Sequence, residues 1–535
     1  MLFSAVLALA SAAAAAPTLD RRTFLPIVDT DAGIIKGKFS SDYTVASFYN
    51  IPYAAPPVGN LRFRPPQPPA AFSGVYDATK MGNSCMQGPA PQFNGGVNQK
   101  NSEDCLNLNI FVPTEGVVAG DLLNLPVVVY IYGGSFNDGY NNLPIYDGAN
   151  VIKAQPLFGR SIIVVPNYRT NIFGFATSNE LLAEGGVNVG LLDQKAVFEW
   201  VRNNIGNFGG DPNKVTAWGE SAGAINIATH MVSGDVTKPL FDRAVLESGA
   251  LFAFANIPLT TQTAFNALAT KFNCSAPVLD CLRKVPAEDL RVAAANAGVS
   301  YLPAVDGKYV KQQPQVALSK GQIYKIPAII LDNNDEGTYF TTSITTPEAL
   351  DALQNSFSFL GDAGLAAAKQ MYSVANFGSP IAAGANFYGD AVFKCPDRQL
   401  AKALTAAGAK VYKGRFSIKP TINLAAGDAF FSAIGVYHTA EMAFVWNYSP
   451  LLNQTNYEKS ISQKMINTWS DFFAGSPFPG LLTAGINWPT YGSTGKRLVW
   501  SSTGTSVETE PADFAARCDF WNTASLGFST AINGA

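Results

Sequence analysis

Histidine is nearly missing from this chain: only His230 and His438 occur among its 535 residues. A zinc centre therefore has almost no imidazole to draw on. The six cysteines form no Cys-x-x-Cys pair, which removes the other usual source of zinc ligands. Charge is scarce too, at 14% of residues against 47% hydrophobic, and the formal net charge is −3. That balance excludes the basic footprint of a nucleic-acid binder or of a protein held on an anionic membrane. It is also the reverse of a disordered chain's composition. Beyond the N-terminal leader no apolar stretch approaches the roughly 18 to 20 residues of a membrane span. The final "SLGFSTAINGA" carries neither a retention signal nor an anchor tail. Repeats, low-complexity tracts outside the leader and a linker between halves are likewise absent, although length alone would allow two to four domains.

What is present begins with "MLFSAVLALASAAAAAPTLDRRTF". An apolar run followed by alanines is the pattern of a secretory signal peptide, here residues 1–16 with cleavage near Ala16. Arg21-Arg22 offers a dibasic processing point that would make residues 17–22 a short propeptide. The expected destination is extracellular, where Cys85, Cys105, Cys274, Cys281, Cys395 and Cys518 would form three disulfides. Spacing alone favours only the short loop between Cys274 and Cys281. The sequons at Asn273, Asn447 and Asn453 are glycan acceptors wherever they are exposed.

Along the rest of the chain, short β-branched runs alternate with helical patterns. "LPVVVYIYGG", "SIIVVPNYR", "KVTAWG", "RAVLESG", "IPAIILDNN" and "KVYKGRFSI" read as buried strands, and "LLDQKAVFEWVRNNI" spaces its apolar residues like a helix face. Continuous apolar strands separated by helices predict an α/β fold, a large, mostly parallel central sheet flanked by helices. Reactive groups in such sheets gather beyond the carboxyl ends of the strands.

One strand leads directly into Gly219-Glu220-Ser221-Ala222-Gly223, followed by the helical pattern "AGAINIATHMVS". A G-x-S-x-G sequence between strand and helix is a nucleophile elbow, whose serine projects above the sheet. Serine needs a base to remove its proton. His230 lies on the same expected helix, about 13 Å along its axis from Ser221, and reads as a partly buried, satisfied histidine. By elimination the base is His438, in a loop ahead of the helical "TAEMAFVW". A third residue must orient the imidazole, and elbow enzymes run in the chain order serine, acid, histidine. Asp332, Asp335 and Glu336 in "AIILDNNDEGTYF" all qualify, and spacing does not choose among them. The same stretch has a passing likeness to a calcium loop, but the twelfth position is Ser343 rather than glutamate. Backbone N–H donors for an oxyanion are expected from Ala222 and from the Gly-rich loop ending "VVVYIYGGSFNDG".

Taken together, "ASFYNIPYAAPPVGNLRFRPP", "SEDCLNLNIFVP", "VVVYIYGGSF", "VVPNYRTNIFGF", "GLLDQKAVFEWVRNNIGNFGGDPNKVTAWGESAGA", "AVLESGA", "DNNDEGTYF", "FKCPDRQLAKAL" and "GVYHTAEMAFVW" resemble the type-B carboxylesterase/lipase family, the cholinesterase-like α/β-hydrolases, and its secreted fungal members most. The resemblance covers nearly all of the mature chain. It implies the α/β-hydrolase fold in one catalytic domain over residues 23–535, and hydrolysis of small-molecule esters without cofactor or metal. It implies Ser221 as nucleophile, Glu336 as acid and His438 as base, an oxyanion hole of Gly134, Ser135 and Ala222, and a supporting hydroxyl at Ser248. It also implies the disulfides Cys85–Cys105, Cys274–Cys281 and Cys395–Cys518.

Members of that family commonly carry three glycines where this chain has Gly133-Gly134-Ser135. A left-handed backbone there would cost a serine about 1–2 kcal/mol. Within the same resemblance, lipases carry a mobile apolar lid where this chain has "CMQGPAPQFNGGVNQKNSEDC". Only Met86, Phe93 and Val97 are sizeable apolar groups in that segment, too few to repay opening against oil. An esterase acting on soluble esters is therefore expected before an interfacially active lipase or sterol esterase. A non-catalytic recognition protein is expected last, because serine and histidine are both present.

Overall fold

Runs of β-branched residues form the strands of one large sheet, as their continuous hydrophobicity predicts. The computed structural model describes residues 25–88, 100–115, 124–251, 260–297, 301–421, 428–448 and 455–533. The expected signal peptide and propeptide, Phe93 and Val97 of the lid segment, and the sequon at Asn453 lie outside the described residues.

In chain order the strands are β1 (Ile27–Thr30), β2 (Gly33–Lys36), β3 (Lys38–Phe39), β4 (Val45–Pro52), β5 (Val75–Asp77), β6 (Asn107–Pro113), β7 (Leu125–Ile131), β8 (Ile162–Pro166), β9 (Gly210–Glu220), β10 (Arg243–Glu247), β11 (Ala328–Asn333), β12 (Val411–Ser417), β13 (Lys496–Ser501) and β14 (Gly504–Thr509). β1, β2 and β5 make a small separate sheet, and the other eleven order as β14-β13-β12-β11-β10-β9-β7-β8-β6-β4-β3. From β13 through β8 every neighbouring pair is parallel. Antiparallel strands close both edges. All six strands read from the sequence are present. β6, β8 and β11 are buried at every position, so both faces of the sheet are covered.

The helices that position the site are α1 (Val189–Asn204), α2 (Ala222–Met231), α3 (Pro380–Gly389), α4 (Cys395–Ala406), α5 (Met442–Val445), α6 (Asn456–Phe473) and α7 (Ala512–Asn533). α1 and α2 fall where the helical patterns were read. The start of α6 is fixed by a capping box, in which Thr455 and Glu458 satisfy each other's backbone N–H groups. Against the central strands it helps to bury a cluster of large aromatic rings. Trp218 of β9 stacks on Trp446 with centroids 4.7 Å apart, and Tyr130 of β7 meets both rings edge-on. Truncating one such buried ring costs about 3–5 kcal/mol. Cys85–Cys105, Cys274–Cys281 and Cys395–Cys518 are all bonded, as the resemblance implied.

The chain leaves β7 toward β8 on one side of the sheet and returns to β9 on the other. A crevice opens beyond the carboxyl ends of strands where the order switches in this way.

Candidate active site

Ser221 follows the last residue of β9 and precedes the first of α2, with φ 54° and ψ −127°. A non-glycine residue there stores about 1–3 kcal/mol of strain, tolerated only because its surroundings impose it. Its flanking glycines show what imposes it. A Cβ on Gly223 would lie 1.9 Å from the Ile131 carbonyl oxygen, and one on Gly219 would lie 2.8 Å from the Gly223 backbone. Strand and helix therefore meet at a distance that only glycine permits. The Ser221 N–H donates to the Glu247 carbonyl at 2.9 Å, which carries the ladder between β9 and β10 past the strand end.

At the end of β11 and just beyond it, the three carboxylates that spacing left open go to three different places. Asp332 points back into the sheet as the buried ion-pair partner of Lys413. Asp335 accepts the Val436 N–H at 2.9 Å and so staples the segment that carries His438. Glu336 is the one that meets the imidazole. Its Oε2 lies 2.7 Å from His438 Nδ1, while its Oε1 accepts the Asn333 N–H at 2.7 Å. Glu336 is fully buried and His438 nearly so. His438 Nε2 has no hydrogen-bond partner among the described residues and faces the Glu220 carboxyl, one residue before Ser221, at 3.3 Å.

His230 is elsewhere. Its Nδ1 meets the Tyr309 hydroxyl at 2.5 Å and its Nε2 meets Gln194 Oε1 at 3.0 Å. It is fully rather than partly buried, and that burial, helped by the Lys195 charge, pushes the imidazole down to about 3. A neutral, doubly bonded histidine has no part in the site.

The Gly-rich loop after β7 approaches Ser221 closely. A Cβ on Gly133 would lie 2.9 Å from Ser221 Cβ. Gly134 and Ser135 donate their N–H groups to no acceptor among the described residues. The Gly134 carbonyl, in contrast, takes the Asn137 and Asp138 N–H groups at 2.9 and 3.0 Å, which turns the loop. Ala222 opens α2, where helical N–H groups lack intrahelical partners. Ser135 has φ 54°, the left-handed conformation in which serine is penalised, and its side chain faces solvent. Ser248 follows β10 with φ 52°; its Oγ accepts Asn333 Nδ2 at 3.2 Å, one residue link from the acid.

Three buried acids escaped the sequence reading. Glu220 is the residue before the serine; burial, then the charges of Glu441, Glu336 and Glu247, push its carboxyl well above the usual range. Glu441, whose Oε2 accepts Asn333 Nδ2, is pushed up to about 8 by burial and the Glu336 charge. Glu247 accepts the indole N–H groups of Trp218 and Trp469, both at 2.9 Å. For Glu220 and Glu247 the available signal was a glutamate at the end of a mostly apolar strand, in "KVTAWGE" and "RAVLESG".

A model of the carboxylesterase family matches residues 25–521. The chain belongs to the carboxylesterase family. The para-nitrobenzyl esterase of Bacillus subtilis strain 168 is 32% identical over 506 residues, spanning 91% of this chain and 96% of the relative. Among solved structures, Aspergillus niger EstA superposes with a TM-score of 0.83 at 26% identity, covering 94% of this chain and 99% of that one. A thermophilic pNB esterase superposes at 0.79 with 30% identity, covering 92% and 99%. This carboxylesterase has the α/β-hydrolase fold and is a carboxylic ester hydrolase.

Proposed function

We propose a secreted serine carboxylesterase working through Ser221, His438 and Glu336. His438 takes the proton of Ser221 as its oxygen attacks the ester carbonyl. The N–H groups of Gly134, Ser135 and Ala222 receive the resulting oxyanion, each donor contributing about 3–4 kcal/mol to lowering the barrier. The proton passes to the leaving alcohol, and an acyl group stays on Ser221. Water, deprotonated by His438, then releases the acid and restores the serine. Glu336 holds the imidazole tautomer and steadies its charged form. The observation that carries this reading is the 2.7 Å contact between His438 Nδ1 and Glu336, with Nε2 3.3 Å from the carboxyl of Glu220, the residue before Ser221.

Three disulfides and the leader support export, with residues 23–535 as one catalytic domain. Of the two described sequons, Asn273 is exposed and is the preferred glycan acceptor. Asn447 is half-buried and donates its amide to the Asn150 carbonyl at 3.4 Å. The polar segment between Cys85 and Cys105 favours soluble or short-chain esters. The para-nitrobenzyl esters for which the bacterial relative is named are suitable first probes.

Labelling with a phosphorylating serine reagent tests the mechanism. One phosphoryl group per chain on the Ser221 peptide, with activity lost in step, is expected. Label on another peptide, or activity surviving full labelling, would remove Ser221 from its role.

A further inference from the structure

We infer that Phe393 is a positioning residue for His438, held in place by a π-helical turn that the C-terminal helix anchors. The inference rests on the proposed role of His438 as base.

One hydrogen bond to Glu336 fixes a single atom of the imidazole. The ring could still swing about that bond and carry Nε2 away from Ser221. Two phenyl rings close off that motion. Phe393 lies against the imidazole with centroids 4.4 Å apart and planes 32° from parallel, and Phe340 packs at 5.2 Å. Phe340 and Phe393 also stack on each other at 5.5 Å. Phe393 is only 3% exposed, so it faces the imidazole and not the solvent.

Its backbone is unusual. Residues Asp390–Lys394 form a π-helical turn between α3 and α4. Such turns insert a residue into a helix and occur often at functional sites. Both sides of this one are pinned. On the catalytic side, a Cβ on Gly337 would lie 1.9 Å from the Ala385 carbonyl oxygen, so α3 lies hard against the loop bearing Glu336. On the far side, Asp390 pairs with Lys394 at 2.9 Å, joining the two ends of the turn. Asp390 Oδ2 also accepts Arg517 Nε of α7 at 2.7 Å and the Tyr372 hydroxyl at 2.9 Å. Trp521 of α7 donates to that hydroxyl at 2.8 Å, and Cys395–Cys518 ties the start of α4 to the same helix. The remote anchor thus reaches His438 through one aromatic contact.

The test measures kcat and KM for para-nitrophenyl acetate with the full-length protein and its Phe393→Ala, Phe393→Leu, Phe393→Tyr and Arg517→Gln variants. Phe393→Ala is expected to lower kcat by about tenfold or more with KM within about twofold, the signature of a misaligned general base. Phe393→Leu should fall between, and Phe393→Tyr, which keeps the ring, should retain about half of kcat or more. Arg517→Gln, which touches nothing in the site, should lower kcat by about threefold with KM unchanged. A folded Phe393→Ala with kcat within twofold of wild type overturns the inference, as does an equal loss in the Tyr variant. Should the Ala variant not fold, the Leu and Arg517→Gln variants decide by the same criteria. A His438→Ala control separates the two levels: its failure to abolish turnover would sink the triad, whereas the Phe393 results bear on positioning alone.

Discussion

The carboxylate of Glu336 is held at both oxygens, by His438 Nδ1 and by the backbone N–H of Asn333, each at 2.7 Å. An acid held in this way can orient an imidazole without moving itself. Glu336→Gln keeps the shape but offers an amide where His438 needs an acceptor in a defined orientation. A fall in kcat of about three to four orders of magnitude is expected, with little change in KM. Asp335→Asn should cost turnover less than tenfold, since its partner is the Val436 backbone. Steady-state kinetics on both variants checks the ranking, and a crippled Asp335→Asn would reverse it.

Asp332 belongs to stability rather than chemistry. It and Lys413 are fully buried on neighbouring strands, and burial pushes the lysine well below its ordinary range. Asp332→Asn leaves Lys413 without its counter-charge at a cost of about 3–5 kcal/mol. A marked drop in Tm with near-normal kcat in the surviving folded protein is the expected result.

Glu441 makes stability depend on pH. Its carboxyl is raised from 4.5 to about 8 in the folded chain, so between those values the folded state holds a proton that the unfolded state has released. The stabilising contribution is therefore complete below about pH 4.5 and is lost as pH rises through about 8. Tm measured from pH 5 to 9 should fall more steeply for wild type than for Glu441→Gln. Parallel curves would contradict this assignment.

Ser135 occupies a left-handed position that glycine adopts freely. Ser135→Gly retains the backbone donor and removes about 1 kcal/mol of strain. A small rise in Tm is expected, with kcat/KM within about threefold of wild type. A large loss of activity would mean that the hydroxyl, not the N–H, matters there.

Glu247 clamps two tryptophans while its carbonyl holds the Ser221 N–H. Glu247→Leu strands both indole N–H groups in the core, at about 1–3 kcal/mol each. Thermal unfolding should register that loss, and tryptophan fluorescence should shift. An unchanged Tm would show the clamp to be idle.

Much of this was legible in the sequence, for identifiable reasons. Continuous β-branched runs marked six strands because a sheet covered on both faces leaves them few polar positions. Ser221 stood out because the elbow's close approach demands glycine at fixed offsets. His438 followed from scarcity, since only one other histidine exists and its helix carries it away. Between Asp332, Asp335 and Glu336 spacing was silent, because the direction a side chain takes beyond a strand end is set by tertiary neighbours such as Lys413 and Val436. Phe393 opens "FKCPDRQLAKAL", one of the stretches that carry the resemblance, yet nothing in the sequence gave it a role. A π-helical turn has no sequence signature, and an ordinary phenylalanine becomes informative only once His438 is seen beside it.

Turnover of para-nitrophenyl acetate by Ser221→Ala and His438→Ala is the most direct measurement of all. Members of a catalytic triad act as one unit, so each variant is expected to lose about a million-fold in kcat while remaining folded by circular dichroism. Even a tenth of normal activity in either folded variant would contradict ester hydrolysis through Ser221 and His438.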